Sequence, residues 1–146
     1  MVRFRRRHSE SPHAVPLPDP VPGAVQSAVA ERTLDLLLDF VAFMVLCSTT
    51  DNPGSEIGRA GHRLATEFDR LVGWLQDEPA PADGERAQLI VGLRCHRAMV
   101  HNALSFVFPR SRTARSEELR RSLGVVGLPT MQLHDLCAQL GADRRP

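Results

Sequence analysis

The stretch that decides the fold is Leu34–Cys47, LDLLLDFVAFMVLC, in which only Asp35 and Asp39 interrupt an apolar run. Wound as a helix at about 100° per residue, it places Asp35 and Asp39 on one edge, with Glu31 a turn earlier. Leu34, Leu37, Leu38, Val41, Met44 and Val45 fall to one side of that edge, and Leu36, Phe40, Phe43 and Cys47 to the other. A helix packed on a single side needs an apolar arc of only ~100°. This one asks for cover on almost all sides, as a central helix or part of a subunit interface. The run is too long for a strand and holds no turn residue. It is also shorter than the ~20 apolar residues of a membrane span. No membrane association is expected.

Outward from this stretch, the chain divides at its prolines and glycines. The first helix runs from Gly23–Ala24 to about Ser48, where Thr49-Thr50-Asp51-Asn52-Pro53-Gly54 breaks it. A second follows, with Ile57, Ala60, Leu64, Phe68, Leu71, Val72 and Leu75 at helical spacing and a small-residue side of Gly58, Gly61 and Ala65. Pro79-Ala80-Pro81 ends it. The third, about Glu85–Phe108, has one seam of Leu89, Leu93, His96, Val100, Leu104 and Val107 and a second of Val91, Cys95, Met99 and Phe106. Pro109 stops it. Ser116-Glu117-Glu118 opens a short fourth helix with Leu119 and Leu123 facing inward, and Gly124 closes it. Pro129 begins a last one whose buried side is Leu133, Leu136, Cys137 and Leu140. The expectation is an all-α bundle of three long and two short helices over residues 23–146, behind a basic, proline-rich, disordered tail at residues 1–22.

Charge is near balance over the 146 residues but unevenly placed. The tail carries Arg3, Arg5, Arg6 and Arg7, the C-terminal part is rich in arginine, and the middle is acidic. An acidic protein partner would therefore meet the ends. There is no lysine, which removes Schiff-base chemistry and the phosphate-loop lysine. Three cysteines, Cys47, Cys95 and Cys137, sit in apolar helical contexts, and the start lacks a hydrophobic signal segment. Both point to a reducing, cytoplasmic setting.

Several constellations compete for a role. The acidic stripe Glu31, Asp35 and Asp39 on the first helix and the basic stripe Arg94, Arg97 and His101 on the third are each the charged edge of a helix that needs burial. Their pairing predicts an ion-pair seam, with a polar ligand pocket as the alternative. His96, alone among leucines, reads as a hydrogen-bonded core residue before it reads as a ligand. His62, Cys95, His96, His101, His134, Asp135 and Cys137 form no metal-binding spacing, so neither metal nor other cofactor is expected. No nucleophile motif is present. On the second helix, Arg63, Glu67, Arg70 and Trp74 make a surface strip, with the one tryptophan off the apolar face. An Arg-flanked, exposed Trp is a common interface anchor.

Ser116–Leu140 loosely resembles a helix-turn-helix. Its turn is too long, however, and its second helix has no arginine, so Arg120, Arg121, Arg144 and Arg145 would have to reach the nucleic acid. The reading favours a non-enzymatic interaction or regulatory protein acting through helix–helix surfaces, most simply a homodimer. A DNA-binding regulator and a small-molecule-binding protein or enzyme with a pocket between helices one and three are the alternatives.

Overall fold

A computed structural model describes residues 23–79, 84–125 and 127–143. The proline-rich tail expected at residues 1–22 lies outside these, as do Arg144 and Arg145. Five helices are present, and no strand occurs among the described residues. They are α1 (Ala24–Thr49), α2 (Ser55–Gln76), α3 (Gly84–Val107), α4 (Ala114–Ser122) and α5 (Leu128–Ala142). This is the expected bundle of three long and two short helices.

α1 begins at Gly23, whose φ of 77° is open to glycine at little cost. It touches every other helix. Its Val29, Ala30, Leu36, Leu37, Phe40, Phe43, Met44 and Cys47 belong to one core with α2, α3 and α5. The expectation of cover on almost all sides needs correction, because one edge lies open. Along that edge run Glu31, Arg32, Asp35, Leu38, Asp39, Ala42, Val45 and Leu46, all exposed. Leu38 is 73% exposed, so a large apolar side chain stands in water there. The reason is geometric. The four neighbouring helices already meet α1's buried arc, and no described segment is left to close the outside.

α2 buries Ile57, Leu64, Phe68, Leu71, Val72 and Leu75, the regular stripe of an amphipathic helix. Its small side meets α3. A Cβ on Gly61 would lie 2.8 Å from a methyl of Leu104, so the two helices close to a distance that glycine permits. Gly92 of α3 does the same for α5, where a Cβ would lie 2.8 Å from a methyl of Leu133. Along α3, Leu89, Leu93, His96, Val100 and Val107 are buried, while Val91 of the second expected seam is open to solvent.

α4 departs most from expectation. Its N-cap is Thr113, three residues before Ser116, the cap read from the sequence, so the helix starts at Ala114. The Thr113 hydroxyl accepts from the Ser116 amide at 3.1 Å, and the Ser116 hydroxyl accepts from the Thr113 amide at 2.9 Å. This reciprocal arrangement satisfies two donors that a helix start would otherwise leave open. The inward residue of α4 is Arg120, with Leu123 only partly covered and Leu119 exposed.

Candidate functional site

The centre of the bundle is polar at one point. His96 is fully buried between Phe40 and Phe68, with ring centroids 4.9 Å and 5.9 Å away. Its Nδ1 lies 2.8 Å from the Gly92 carbonyl, which can only accept, so Nδ1 carries the proton. Nε2 then accepts from the Thr130 hydroxyl of α5 at 2.9 Å. Burial pushes the His96 pKa below its ordinary value, against a smaller opposing pull from the Gly92 hydrogen bond. Both nitrogens are occupied and the ring is sealed from solvent. The arrangement holds α3 to α5 through a neutral imidazole.

At the end of α1, Arg120 plays a comparable part. Its side chain is only 6% exposed. Nη1 donates to the carbonyls of Cys47, Ser48 and Thr50 at 3.1, 3.3 and 2.8 Å. Nη2 and Nε donate to Glu117 at 2.9 and 3.3 Å. A helix leaves its last carbonyls without partners and carries a partial negative charge there, so a guanidinium is well matched to that end. The hydrogen bond from Arg120, with its positive charge and those of Arg112 and Arg121, holds the Glu117 carboxyl below its ordinary range. Arg120, a nucleic-acid candidate by sequence, is corrected: it is buried, with its donors spent on the end of α1 and on Glu117. Arg121 is exposed.

The two charged stripes do not meet. Among the described residues, no ion pair joins Glu31, Asp35 or Asp39 to Arg94, Arg97 or His101. Arg97 instead reaches across to Asp69 of α2, Nε to carboxylate at 2.8 Å. α3 sets His96 between Phe40 of α1 and Phe68 of α2, and the next residue, Arg97, meets Asp69 of α2. For the same reason the residues expected to line a pocket between α1 and α3 do not come together among the described residues. Phe40, Phe68 and His96 fill that space, while Asp35, Asp39, Arg94, Arg97 and His101 are all exposed.

Clefts occur instead on both flanks of α1's open edge. Between α1 and α2 lies a groove of ≈ 790 Å³, floored by Leu36, Phe43, Leu46 and Leu64. Three residues of the surface strip, Arg63, Glu67 and Arg70, line it. Glu67 pairs with Arg70 at 3.1 Å and with Arg32 of α1 at 3.6 Å, bridging part of the rim. Trp74 continues the strip one turn further and is 48% exposed. On the other flank, between α1 and α5, is a smaller groove of ≈ 460 Å³.

The cysteines are of two kinds. Burial pushes Cys47 up to about 11, against a lowering from nearby Arg120, and Cys137 up to about 12, against a hydrogen bond with Thr33. Cys95 is partly exposed. No three His, Cys, Asp or Glu side chains come together in a metal-holding group among the described residues. No described helix is long and apolar enough to cross a membrane.

Two buried arginines escaped the sequence reading, Arg120 and Arg86. Arg86 donates to the Glu78 carbonyl at 3.2 Å and ties the start of α3 to the end of α2. A signal existed for Arg120. Ser116, Glu117, Arg120 and Leu123 recur at helical spacing, and all are at least partly covered. Known protein families, curated proteins and solved structures offer no match to this chain.

Proposed function

We propose that this protein is a non-enzymatic helical interaction or regulatory protein that pairs with a second copy of itself along its α1–α2 face. The observation that carries the reading is Trp74. The chain's one tryptophan stands 48% exposed beside an apolar groove whose rim carries Arg63 and Arg70. Tryptophan and arginine dominate the energetics of protein interfaces. A groove between two helices is a natural seat for a third helix. Ala42, Val45 and Leu46 extend the apolar surface along α1's open edge, with Ala42 and Leu46 shared by groove and edge.

Size supports a modest affinity. α2 is about 33 Å long at 1.5 Å per residue, and two packed helices span roughly 20 Å. The face therefore offers roughly 660 Å², slightly below the ~800 Å² per partner of a specific interface. Homodimers most often use one patch twice about a twofold axis, and a face with both Arg63 and Asp39 on its rim is suited to self-pairing. The chemistry points the same way. Cys47 and Cys137 are buried and protonated, and His96 has both nitrogens engaged, so none of the three is poised to act on a substrate.

Sedimentation velocity over a concentration series tests the proposal. The wild type should dimerise with a micromolar constant. Trp74→Ala and Leu46→Glu should each weaken the dimer about tenfold or more, with helicity unchanged because both side chains are substantially exposed. A wild type that stays monomeric at ~100 μM, or a dimer indifferent to both substitutions, overturns it.

A further inference from the structure

The α1–α5 groove differs in character from the α1–α2 groove. Its floor is Leu34, Leu37, Leu38 and Val41, and Met131 of α5 borders it. Leu38 and Met131 are 73% and 59% exposed. The charged residues around it are Asp35 and Asp135, with His134 beside them and Glu31 one turn away on α1, while Asp39 lines the α1–α2 groove. Among the described residues Glu31, Asp35 and Asp39 make no ion pair. Asp135 meets only its exposed neighbour His134, at 3.3 Å. An occupant that satisfies such a groove must be cationic and apolar at once.

One segment of this chain has that composition. Val2-Arg3-Phe4-Arg5-Arg6-Arg7 mixes large apolar residues with arginines, and no acid occurs before Glu10. The other arginine-rich stretch, Arg110–Arg115, contains no large apolar residue. In an extended backbone, Val2 and Phe4 fall on one side and Arg3 and Arg5 on the other. Long arginine stems can lie along an apolar wall while their heads reach a charged rim.

The tether permits the contact. Residue 22 joins the body at Gly23, where α1 starts beside the end of α5: the Ser27 hydroxyl donates to the Leu140 carbonyl at 3.3 Å. From there to Leu34–Leu38 is about 17–23 Å along the helix. Residues 8–22, at ~3.1 Å each for a proline-rich chain, can reach ~45 Å. A tether of this length keeps the segment at an effective concentration on the order of millimolar, so even a weak contact fills the groove.

We propose that residues 2–7 dock in cis in the acidic, apolar groove between α1 and α5. The dimer face lies on α1's other flank, so this contact stands or falls independently of self-association.

The sequence supplies its own probe. It has no lysine, so a protein expressed as this sequence carries one primary amine, at its first residue. Carbodiimide activation joins an amine to a carboxylate as an amide, with the carbodiimide taking up the water lost. Equal amounts of unlabelled and ¹⁵N-labelled full-length protein are mixed, cross-linked and read by peptide mass spectrometry. The expected product is an amide from the first residue to Asp35, Asp135 or Glu31, within one chain. Its yield should fall about fivefold or more at ~0.5 M salt, and equally in the variant with Arg3, Arg5, Arg6 and Arg7 all changed to Gln. Cross-links spread evenly to remote carboxylates such as Glu56 and Glu85 overturn the proposal. So do products joining labelled to unlabelled chains alone, which would mean a second copy's segment in the groove. A yield indifferent to the arginines overturns it as well.

Discussion

Replacing Arg120 with alanine should destabilise the protein more than any other substitution of a charged residue in α4. Three backbone carbonyls at the end of α1 and the Glu117 carboxylate lose their donor together. A hydrogen bond to a charged group contributes ~1.5–3 kcal/mol. These bonds share one guanidinium and do not add. The Asp51 pair, at 3.7 Å with Asp51 almost fully exposed, contributes little. Removing one partner of a buried charged set costs ~3–5 kcal/mol. Because the freed end of α1 regains some water, we expect about 3 kcal/mol.

For the roughly 120 described residues, at ~2.1 cal/mol/K of unfolding entropy each, that lowers the Tm by roughly 12 °C. Urea unfolding followed by circular dichroism measures the loss directly. Arg120→Met separates packing from hydrogen bonding, since it keeps most of the stem but none of the donors. Arg121→Ala, at an exposed neighbour, should stay within ~0.5 kcal/mol of wild type. If Arg120→Met is as stable as wild type, the guanidinium is dispensable and the argument about the end of α1 is wrong.

Two further outcomes follow from the buried titratable groups. His96 has a folded pKa below its unfolded value of 6.5, so its contribution is fully present above that pH and declines as pH falls toward the folded pKa. Over that window stability should drop by up to ~1.4 kcal/mol per pH unit from this one proton, and nitrogen NMR should show the Nδ1-protonated neutral ring persisting below pH 6.5. A His96 ring that ionises in the folded protein at its ordinary pKa would contradict its sealed position. Among the thiols, Cys95 should react alone with a thiol reagent at mildly alkaline pH, because Cys47 and Cys137 are buried and held protonated. Equal labelling of all three under native conditions, read by mass spectrometry, would refute the burial of the other two.

The class of fold was legible because each helix announces itself locally. α2 repeats its apolar residues at helical spacing, and Pro53-Gly54, Pro79 and Pro109 separate the long helices. His96 was legible too, since an isolated histidine in a leucine seam must find hydrogen-bond partners inside. The partners themselves were not: Thr130 lies in a different helix. The stripes failed on rotation. Sequence spacing places Arg94, Arg97 and His101 on one edge of α3, but only packing decides that Arg97 faces Asp69 rather than Asp39. Arg120 was hidden by its own chemistry. An arginine beside Arg121 looks like surface until a second helix is known to end above it, and α1 ends some seventy residues earlier in the chain.

These placements bear on what α4 and α5 are free to do. A recognition helix must project from its domain far enough to enter a groove. α5 is a wall of this bundle, with Leu133, Cys137 and Leu140 in the core, Thr130 bonded to His96 and Gly92 of α3 drawn close to Leu133. α4 is fastened to α1 through Arg120. The outward side of α5 carries Gln132, His134, Asp135 and Gln139, with no arginine. Duplex contact would then fall to Arg110, Arg112, Arg115 and Arg121, which lie on or before α4 and not on the helix that would read the bases. α1's open edge is different. There, exposed leucines lie between two grooves, one with a mixed rim of Arg32, Asp39, Arg63 and Glu67 and the other with the acidic Asp35 and Asp135. The self-pairing and the basic-arm docking proposed above would each use one of these grooves, so either contact can be broken by substitution without touching the other's floor.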